Sequence, residues 1–262
     1  MVAESTMKKY NLMYNKLIKN GYEPNSKNRI NNAINILNKF KISDGTISNY
    51  FKALIYYHNE TNNELSLDEK NDIKKIFDKS NNQYMDNAKN GIHTDKINNN
   101  FLNWSEIMDI YEKIKNNENL KNIVFVSLFI LQPPRRLQDY QYLKLIYNKP
   151  SKLDKNYNYL VLKDKPYFIF NKYKTSSKYG TQKIDINKKL KPLLIKYIEN
   201  NKINENDIVF NNWSNKTFEQ KIKKLFNKYT DKIITINILR HSYISYMTDT
   251  NKLKTLNDRE QL

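Results

Sequence analysis

Apolar residues in the first 90 positions recur at the three- and four-residue spacing of amphipathic helices. Four such segments are predicted, over residues 5–20, 26–40, 43–57 and 66–84. Gly21 is suited to end the first, because glycine readily adopts the left-handed conformation that closes a helix. Ser66 and Glu69 have the spacing of a capping box at the start of the fourth. The pattern predicts a four-helix unit over residues 1–90.

The periodicity is lost after Asn87, and residues 91–100 are predicted to be a linker. His93 lies in this stretch and is predicted to be a solvated loop residue. A second domain is predicted over residues 101–262. Its helical segments are predicted over residues 103–116, 120–131, 137–144, 187–198, 218–229, 236–247 and, at the end, 256–262. The segment 120–131 is almost wholly apolar, so it is predicted to be buried on most sides.

In the middle of this second domain, the spacing of apolar residues changes from that of helices to that of strands. Alternating residues predict three strands, over residues 157–162, 167–171 and 181–186. Residues 172–180 are predicted to form a basic loop between the second and third strands, and Ile208 to Phe210 an edge strand at most. The sequence therefore predicts a mainly α protein with a small antiparallel β-sheet. No internal repeat and no glycine-rich phosphate loop is found.

The net charge of the chain indicates which class of molecule it binds. The chain carries 45 Lys and Arg against 27 Asp and Glu, a formal net charge of +18. This excess favours a polyanion such as DNA or RNA. The alternative is a codon bias that raises Lys and Asn throughout, but such a bias does not explain why acidic residues stay so few.

Composition also excludes several classes. The chain has no Cys and only three His, so neither disulfides nor thiolate or His-based metal sites are expected, and no cofactor is predicted. No apolar run approaches the roughly 20 residues that span a bilayer. The N-terminus lacks a signal-peptide pattern. We expect an intracellular, soluble protein in a compartment that holds DNA.

Arginine is rare in this chain, and its positions are informative. Only five of the 45 basic residues are Arg, namely Arg29, Arg135, Arg136, Arg240 and Arg259. Where Lys is the default cation, an Arg inside an apolar run indicates a position that needs the planar fork. That fork can hold two oxygens of a phosphate or carboxylate at once.

Three short motifs occur in order along the second domain: Arg136-x-x-Asp139-Tyr140-x-x-Leu143, Tyr173-Lys174-Thr175 and Leu239-Arg240-His241-Ser242. On this secondary structure they resemble the two arginine boxes and the β-hairpin lysine of the tyrosine recombinase (phage integrase) family. The four-helix unit is similar to the core-binding domain of that family. The run Pro133-Pro134-Arg135-Arg136 resembles the branch carried by transposons and large viruses.

The resemblance implies cleavage of duplex DNA through a 3′-phosphotyrosine, without metal or nucleotide cofactor. It implies that Arg136 and Arg240 hold the non-bridging phosphate oxygens and that Lys174 protonates the leaving 5′-oxygen. It also implies self-association on DNA, with the two domains closing around the duplex. Arg135, Lys172, Lys178 and His241 are candidate DNA-binding residues, and Lys172 is the rival for the role of Lys174.

Two departures from the family pattern stand out. Asn237 occupies the position of the family histidine; it can donate a hydrogen bond but cannot move a proton at neutral pH. No tyrosine follows Tyr246, and Tyr243 and Tyr246 are too close to Arg240 to be the nucleophile. We therefore expect the nucleophile to lie beyond this chain. Alternatives are a non-catalytic DNA-binding protein, a type IB topoisomerase and an RNA-binding protein.

Each motif residue also has a plainer interpretation. Arg136 could pair with Asp139, Arg240 could form a structural ion pair, and Lys174 could be surface charge. Asn237 could cap its helix, and His241 could be a packed histidine. The joint pattern, rather than any one residue, favours the catalytic interpretation.

Overall fold

The computed structural model of the chain describes residues 4–89, 94–148, 152–163, 165–210 and 215–249. The chain divides into two compact units, Met1–His93 (unit 1) and Thr94–Leu262 (unit 2). The protein is mainly helical, with one small four-stranded sheet in unit 2. His93, Arg259 and the helix predicted over residues 256–262 lie outside the described residues. In the described ranges, no helix has the length and apolarity to span a membrane.

Unit 1 consists of four helices. They are α1 (Glu4–Lys19), α2 (Arg29–Lys39), α3 (Asp44–Glu60) and α4 (Leu67–Lys89). The residues at helical spacing form its core, among them Leu17, Ile30, Leu37, Phe51 and Leu54. The predicted capping box is confirmed, since the amides of Ser66 and Glu69 each donate to the other residue's side chain at 2.8 and 3.2 Å. All four predicted helices are confirmed, with ends shifted by a few residues.

The buried side chain of Arg29 connects several segments of unit 1 through hydrogen bonds. Its guanidinium forms a two-pronged ion pair with Glu69, at 2.6 and 2.9 Å, and donates to the carbonyls of Pro24 and Glu64. His58 lies against it, and burial lowers the pKa of this histidine, which favours the neutral ring. This rare arginine therefore has a structural role, because a lysine could not reach the same partners in one plane.

Unit 2 carries the other helices. They are α5 (Asp95–Asn100), α6 (Trp104–Asn117), α7 (Leu120–Ile130), α8 (Leu137–Gln141), α9 (Ser176–Tyr179), α10 (Leu190–Asn200), α11 (Asn215–Phe226) and α12 (Ile236–Asp249). As predicted, α7 is buried on almost every side, from Val124 to Ile130. Its apolar residues contact α6 and α10 and form the centre of the unit's core.

The sheet has the order β1-β2-β3-β4. Its strands are β1 (Leu143–Ile146), β2 (Asn158–Val161), β3 (Tyr167–Phe170) and β4 (Gln182–Asp185). The predicted antiparallel pairing of β2, β3 and β4 is confirmed, with Leu160 opposite Phe168 and Phe168 opposite Ile184. One face of the sheet, with Leu160 and Phe168, packs on the main core; the other carries a small separate cluster around Tyr159 and Val161.

Three expectations need correction. The helix predicted over residues 137–144 ends at Gln141, and the chain continues as β1, which pairs parallel to β2 and makes the sheet mixed. Backbone bonds of Leu143 and Leu145 to residues 207 and 209 cover the other edge of β1. Because these partners are distant in sequence, local periodicity could not reveal the strand. Short helices also occur within the predicted linker, as α5, and within the predicted basic loop, as α9.

Candidate active site

Arg136 lies where the chain leaves α7 and begins α8. The prolines end the apolar helix, and Arg136, in an extended conformation, is the residue that precedes the first turn of α8. Its carbonyl accepts the amide of Asp139 at 3.1 Å. The backbone of Arg136 is therefore fixed at the helix start, while its partly buried side chain lines a cavity of unit 2.

Arg240 is carried by the first turn of α12. Thr235 caps this helix, since its side-chain oxygen accepts the amide of Ile238 at 3.2 Å and its carbonyl accepts that of Leu239. Asn237 is therefore not the cap, and its exposed side chain lines the cavity instead. Ile238 and Leu239 are buried in the core, which fixes the direction in which Arg240 leaves the helix.

Lys174 follows the end of β3. It is exposed and lines the same cavity as Arg136. Lys172, the rival candidate, is not among the described residues that line this cavity; its ammonium lies 5.4 Å from the ring centroid of Tyr142. Lys178 lies on α9, exposed, with its ammonium 4.8 Å from the ring centroid of Tyr179. Of the two candidate lysines, the structure brings Lys174 to the site.

The cavity has a volume of about 830 Å³ and is open to solvent. Its polar lining comes from segments far apart in sequence: Arg136, Gln138, Lys174, Asn237 and His241. Apolar residues of α5, α8, α12 and the chain just before α12 form much of the rest, namely Ile97, Leu137, Ile233, Ile236 and Ile238. Glu219 also lines it, but its carboxylate is paired with Lys223 at 2.9 Å. Four residues singled out by sequence motifs thus share one cavity.

Positive charge is in excess at this site. Asp139 is 3% exposed and lies near three guanidinium groups, those of Arg135, Arg136 and Arg240. Its own pKa is raised because burial outweighs the effect of these arginines. Burial, and then the charge of Arg136, lowers the pKa of Arg240. Arginine nevertheless stays charged in proteins, so the site holds three cations against one buried carboxylate.

The carboxylate of Asp139 forms a salt bridge with Arg135. The Nε of Arg135 donates to Oδ2 of Asp139 at 2.9 Å. Within the described residues, neither Arg136 nor Arg240 forms a salt bridge. Two neighbouring, partly desolvated guanidiniums without a protein counter-ion are an arrangement suited to bind an anion. The plainer interpretation of the Arg136 motif, a pair with Asp139, belongs to Arg135 instead.

Arg135, a candidate DNA-binding residue, has most of its side chain in contact with protein groups. Its side chain is only 10% exposed. Its Nη1 donates to Oε1 of Gln182 at 3.0 Å, and its guanidinium lies 4.0 Å from the ring centroid of Phe170. Both the edge and the face of the guanidinium are therefore occupied by protein groups, and Arg135 belongs to the support of the site.

Sequence reasoning missed Asn158, a buried polar residue at the start of β2. Its side chain joins the carbonyl of Asp139 to the backbone of Asn171 and Lys172. The only signal available was an asparagine at the first, core-facing position of an otherwise apolar strand. In a chain so rich in Asn, that signal could not be separated from composition.

The tyrosines next to Arg240 are engaged in packing. The ring centroids of Tyr243 and Tyr246 lie 5.0 and 6.4 Å from that of Trp104 on α6. Burial raises the pKa of Tyr243, so its hydroxyl keeps its proton. In the described part of the chain, no tyrosine lines the cavity. Nor do the described residues contain a cluster of His, Asp and Glu that could hold a metal ion.

Comparison with known proteins gives a structural likeness and no sequence match. No protein-family model matches the chain, and no curated protein matches its sequence. Among solved structures it is similar to one described as the crystal structure of XerA recombinase, with 14% identity and a TM-score of 0.42. The match covers 95% of this chain and 79% of that one. The functional proposal therefore rests on the geometry of the site.

Proposed function

We propose that unit 2 carries a phosphodiester-transfer site of the tyrosine-recombinase type and that the protein acts on duplex DNA in site-specific recombination. The observation that carries this proposal is the pair Arg136 and Arg240. The two residues are about a hundred positions apart in the sequence. In the structure the charge of Arg136 lowers the pKa of Arg240, which places the two guanidinium groups close together. Asp139, the nearby carboxylate, is already paired with Arg135, so the missing counter-ion is an anion from outside.

A DNA phosphodiester fits the cavity by its charge and its chemistry. In the transition state of transfer, negative charge collects on the non-bridging oxygens, where two guanidinium forks can each donate two hydrogen bonds. Arg136, Asn237 and His241 line the cavity, whereas Arg240 is not among its described lining residues and lies beside it, near Arg136. Asn237 and His241 add donors for the same oxygens. Removal of one such donor from comparable sites costs about 10²–10³-fold in rate.

Lys174 is the group that we assign to proton transfer. When the strand is cut, the bond from phosphorus to the 5′-oxygen breaks, and the ammonium of Lys174 gives that oxygen a proton. When the strand is rejoined, the 5′-hydroxyl attacks phosphorus and its proton returns to the lysine. The exposed position of Lys174 at the cavity edge lets DNA bring the 5′-oxygen to it.

The remaining basic residues serve affinity in this proposal. Lys172 and Lys178 flank Lys174 and are exposed, which suits contacts with DNA phosphates on either side of the reacting one. The net charge of +18 supports the same partner. Self-association on DNA, and a role in moving a transposon-like or viral element, belong to the same proposal and derive from the sequence motifs alone.

A second candidate is a DNA-binding protein that does not cut. It is favoured by the finding that no tyrosine is among the described residues that line the cavity. The two candidates share the DNA-binding step and differ in whether the site can transfer a phosphoryl group. An experiment that supplies its own activated phosphate separates them, because it does not need a tyrosine.

The test uses a nicked duplex with a 5′-hydroxyl on one side and a 3′-p-nitrophenyl phosphate on the other. The duplex is first selected by binding from a random library, and a set of nick positions is then prepared. Attack of the 5′-hydroxyl on phosphorus breaks the bond to p-nitrophenolate, which leaves as the anion, and the proton of the hydroxyl passes to the neutral amine form of Lys174, so that a joined strand remains. We expect the chain to join at one nick position, and Lys174→Ala to reduce the rate by about 10²–10⁴-fold.

Lys165→Ala is the matched control, since Lys165 is exposed in the loop between β2 and β3. It should join at the wild-type rate. If the wild-type chain binds the selected duplex but joins no nick above the rate without protein, the recombinase proposal fails. The non-cutting DNA-binding protein then remains.

A further inference from the structure

We propose that Asn158 and Arg135 are positioning residues that fasten the segment bearing Lys174 to the helix start bearing Arg136. This inference rests on the proposed function, because it assigns how the proton-transfer group is held relative to the phosphate-binding arginines. It concerns two largely buried residues outside the cavity lining, Asn158 being 1% exposed and the side chain of Arg135 10% exposed.

Asn158 uses every hydrogen-bonding position of its side chain. Its Nδ2 donates to the carbonyl of Asp139 at 2.7 Å and to that of Lys172 at 2.9 Å. Its Oδ1 accepts the amides of Asn171 and Lys172, both at 2.8 Å. A primary amide has two donor hydrogens and two acceptor lone pairs, so the site is fully satisfied. No other side chain of similar size offers this set.

These four bonds connect three elements at one point. Asp139 belongs to α8, Asn158 begins β2, and residues 171 and 172 follow β3. Lys172 takes part with both its amide and its carbonyl, so its backbone is fixed two residues before Lys174. The distance along the chain between the fastening point and the proton-transfer group is therefore short.

Arg135 makes a second connection, from α8 to β3, to β4 and to the segment between these strands. Its Nε is paired with Asp139 and its Nη1 donates to Gln182, the first residue of β4. Its guanidinium also lies over the rings of Phe170 and Tyr173, at 4.0 and 5.2 Å from their centroids. A planar cation can stack and donate along its edge at the same time, which an ammonium cannot do.

Hydrogen bonds within residues 171–181 hold this segment as a closed loop. The hydroxyl of Tyr173 donates to the carbonyl of Gly180 at 2.8 Å, and Thr181 donates to the side chain of Asn171 at 2.9 Å. Gly180 has a φ of +66°, which glycine adopts without strain and which turns the chain into β4. Lys174 thus lies in a short closed loop whose two ends are held by Asn158 and Arg135.

The connections made by Asn158 and Arg135 should affect the rate of proton transfer by Lys174. Proton transfer requires the donor and acceptor atoms within hydrogen-bonding reach, and a misplacement of about 1 Å can cost on the order of 10²-fold in rate. Loosening the loop should therefore reduce the contribution of Lys174. It should leave the binding of DNA to the two arginines nearly unchanged, because Asn158 and Arg135 do not line the cavity.

The test compares Asn158→Ala and Arg135→Lys in two backgrounds, with the nicked, activated duplex as substrate. In the wild-type background we expect each to slow joining by about tenfold to a hundredfold. In the Lys174→Ala background we expect less than a threefold further loss, since a positioning residue has nothing left to position. An equal loss in both backgrounds would overturn the inference. Asn156→Ala, an exposed asparagine just before β2, is the matched control.

A second measurement does not depend on joining. Amide hydrogen exchange in residues 171–181 should accelerate at least tenfold in Asn158→Ala and Arg135→Lys, while peptides of unit 1 keep their wild-type protection. Unchanged protection of residues 171–181 would overturn the inference even in an active protein. If the wild-type protein joins nothing while the two variants show this local loosening, the proposed function is contradicted and the positioning role of Asn158 and Arg135 in the loop stands.

Discussion

Arg135, just before α8, and Asp139, on its first turn, form a buried ion pair with 2.9 Å between Nε and Oδ2. Both side chains are at most 10% exposed. The pair occupies a carboxylate that could otherwise have neutralised Arg136 or Arg240. Of the two adjacent arginines in the motif, Arg135 is therefore paired within the protein, and Arg136 has no salt bridge among the described residues.

The first prediction concerns this pair. Asp139→Asn leaves the buried Arg135 without its counter-ion, and we expect a loss of about 3–5 kcal/mol in the free energy of unfolding. Arg135→Gln should also destabilise. The double variant should cost clearly less than the sum, because the two changes remove one interaction. Urea denaturation of all four proteins measures the coupling, and strict additivity would show that the pair contributes nothing.

The second prediction concerns the exposed lysines beside Lys174. Each phosphate contact releases counter-ions, so Lys172→Ala and Lys178→Ala should each lower the slope of log affinity against log salt by about 0.9. Fluorescence anisotropy with a labelled duplex at several salt concentrations measures this slope. Lys165→Ala is again the control, with an expected slope equal to that of the wild type. An unchanged slope for both variants would remove Lys172 and Lys178 from the DNA-binding surface.

The third prediction concerns the tyrosines of α12. Tyr243→Phe and Tyr246→Phe keep the rings that pack on Trp104 and remove only the hydroxyls. We expect both variants to join the activated duplex within twofold of the wild-type rate. Trp104→Ala should instead destabilise the protein by about 3–5 kcal/mol, because it deletes a buried aromatic side chain. Loss of joining in either Phe variant, with normal stability, would show that its hydroxyl takes part in the chemistry.

The fourth prediction concerns acid stability. The hydrogen bond from Arg29 lowers the pKa of Glu69 to about 2, against 4.5 for the free side chain. Because the folded value is the lower one, the stabilisation is complete above pH 4.5 and is lost as the pH falls toward 2. Glu69→Gln should lower the free energy of unfolding at pH 7 by roughly 2–3 kcal/mol and flatten its fall between pH 4.5 and 2.

Urea denaturation at several pH values measures this effect. Glu60→Gln, a change at an exposed residue near the end of α3, should leave the pH dependence as it is in the wild type. A Glu69→Gln protein that loses stability in acid as steeply as the wild type would show that the ion pair with Arg29 does not govern this pH range.

The elements that local pattern determines were predictable. Helices such as α7 follow from a run of apolar residues, and the capping box of Ser66 and Glu69 follows from two residues at fixed spacing. The strand β1 was not predictable, because its four residues are held by β2 and by residues 206–209, which sequence does not show to be near. Tertiary pairing decided the conformation there.

The candidate site likewise has residues that the sequence singled out and residues that only the structure revealed. Three motifs in order along the chain singled out Arg136, Lys174 and Arg240 as candidates, although none of these residues stands out alone. They did not reveal that Arg135, rather than Arg136, takes the carboxylate of Asp139, since both arginines are within reach of it along the chain. Nor did they reveal Asn158, whose importance comes wholly from partners on other elements.

The central claim is that Arg240 and Arg136 grip a phosphate with forks that lysine cannot replace. The most direct measurement is the rate at which Arg240→Lys joins the activated nicked duplex. Lysine keeps the charge and removes the fork, so we expect a loss of about 10²–10³-fold in rate, with affinity for the duplex and stability close to those of the wild type. Joining at the wild-type rate by Arg240→Lys would contradict the claim.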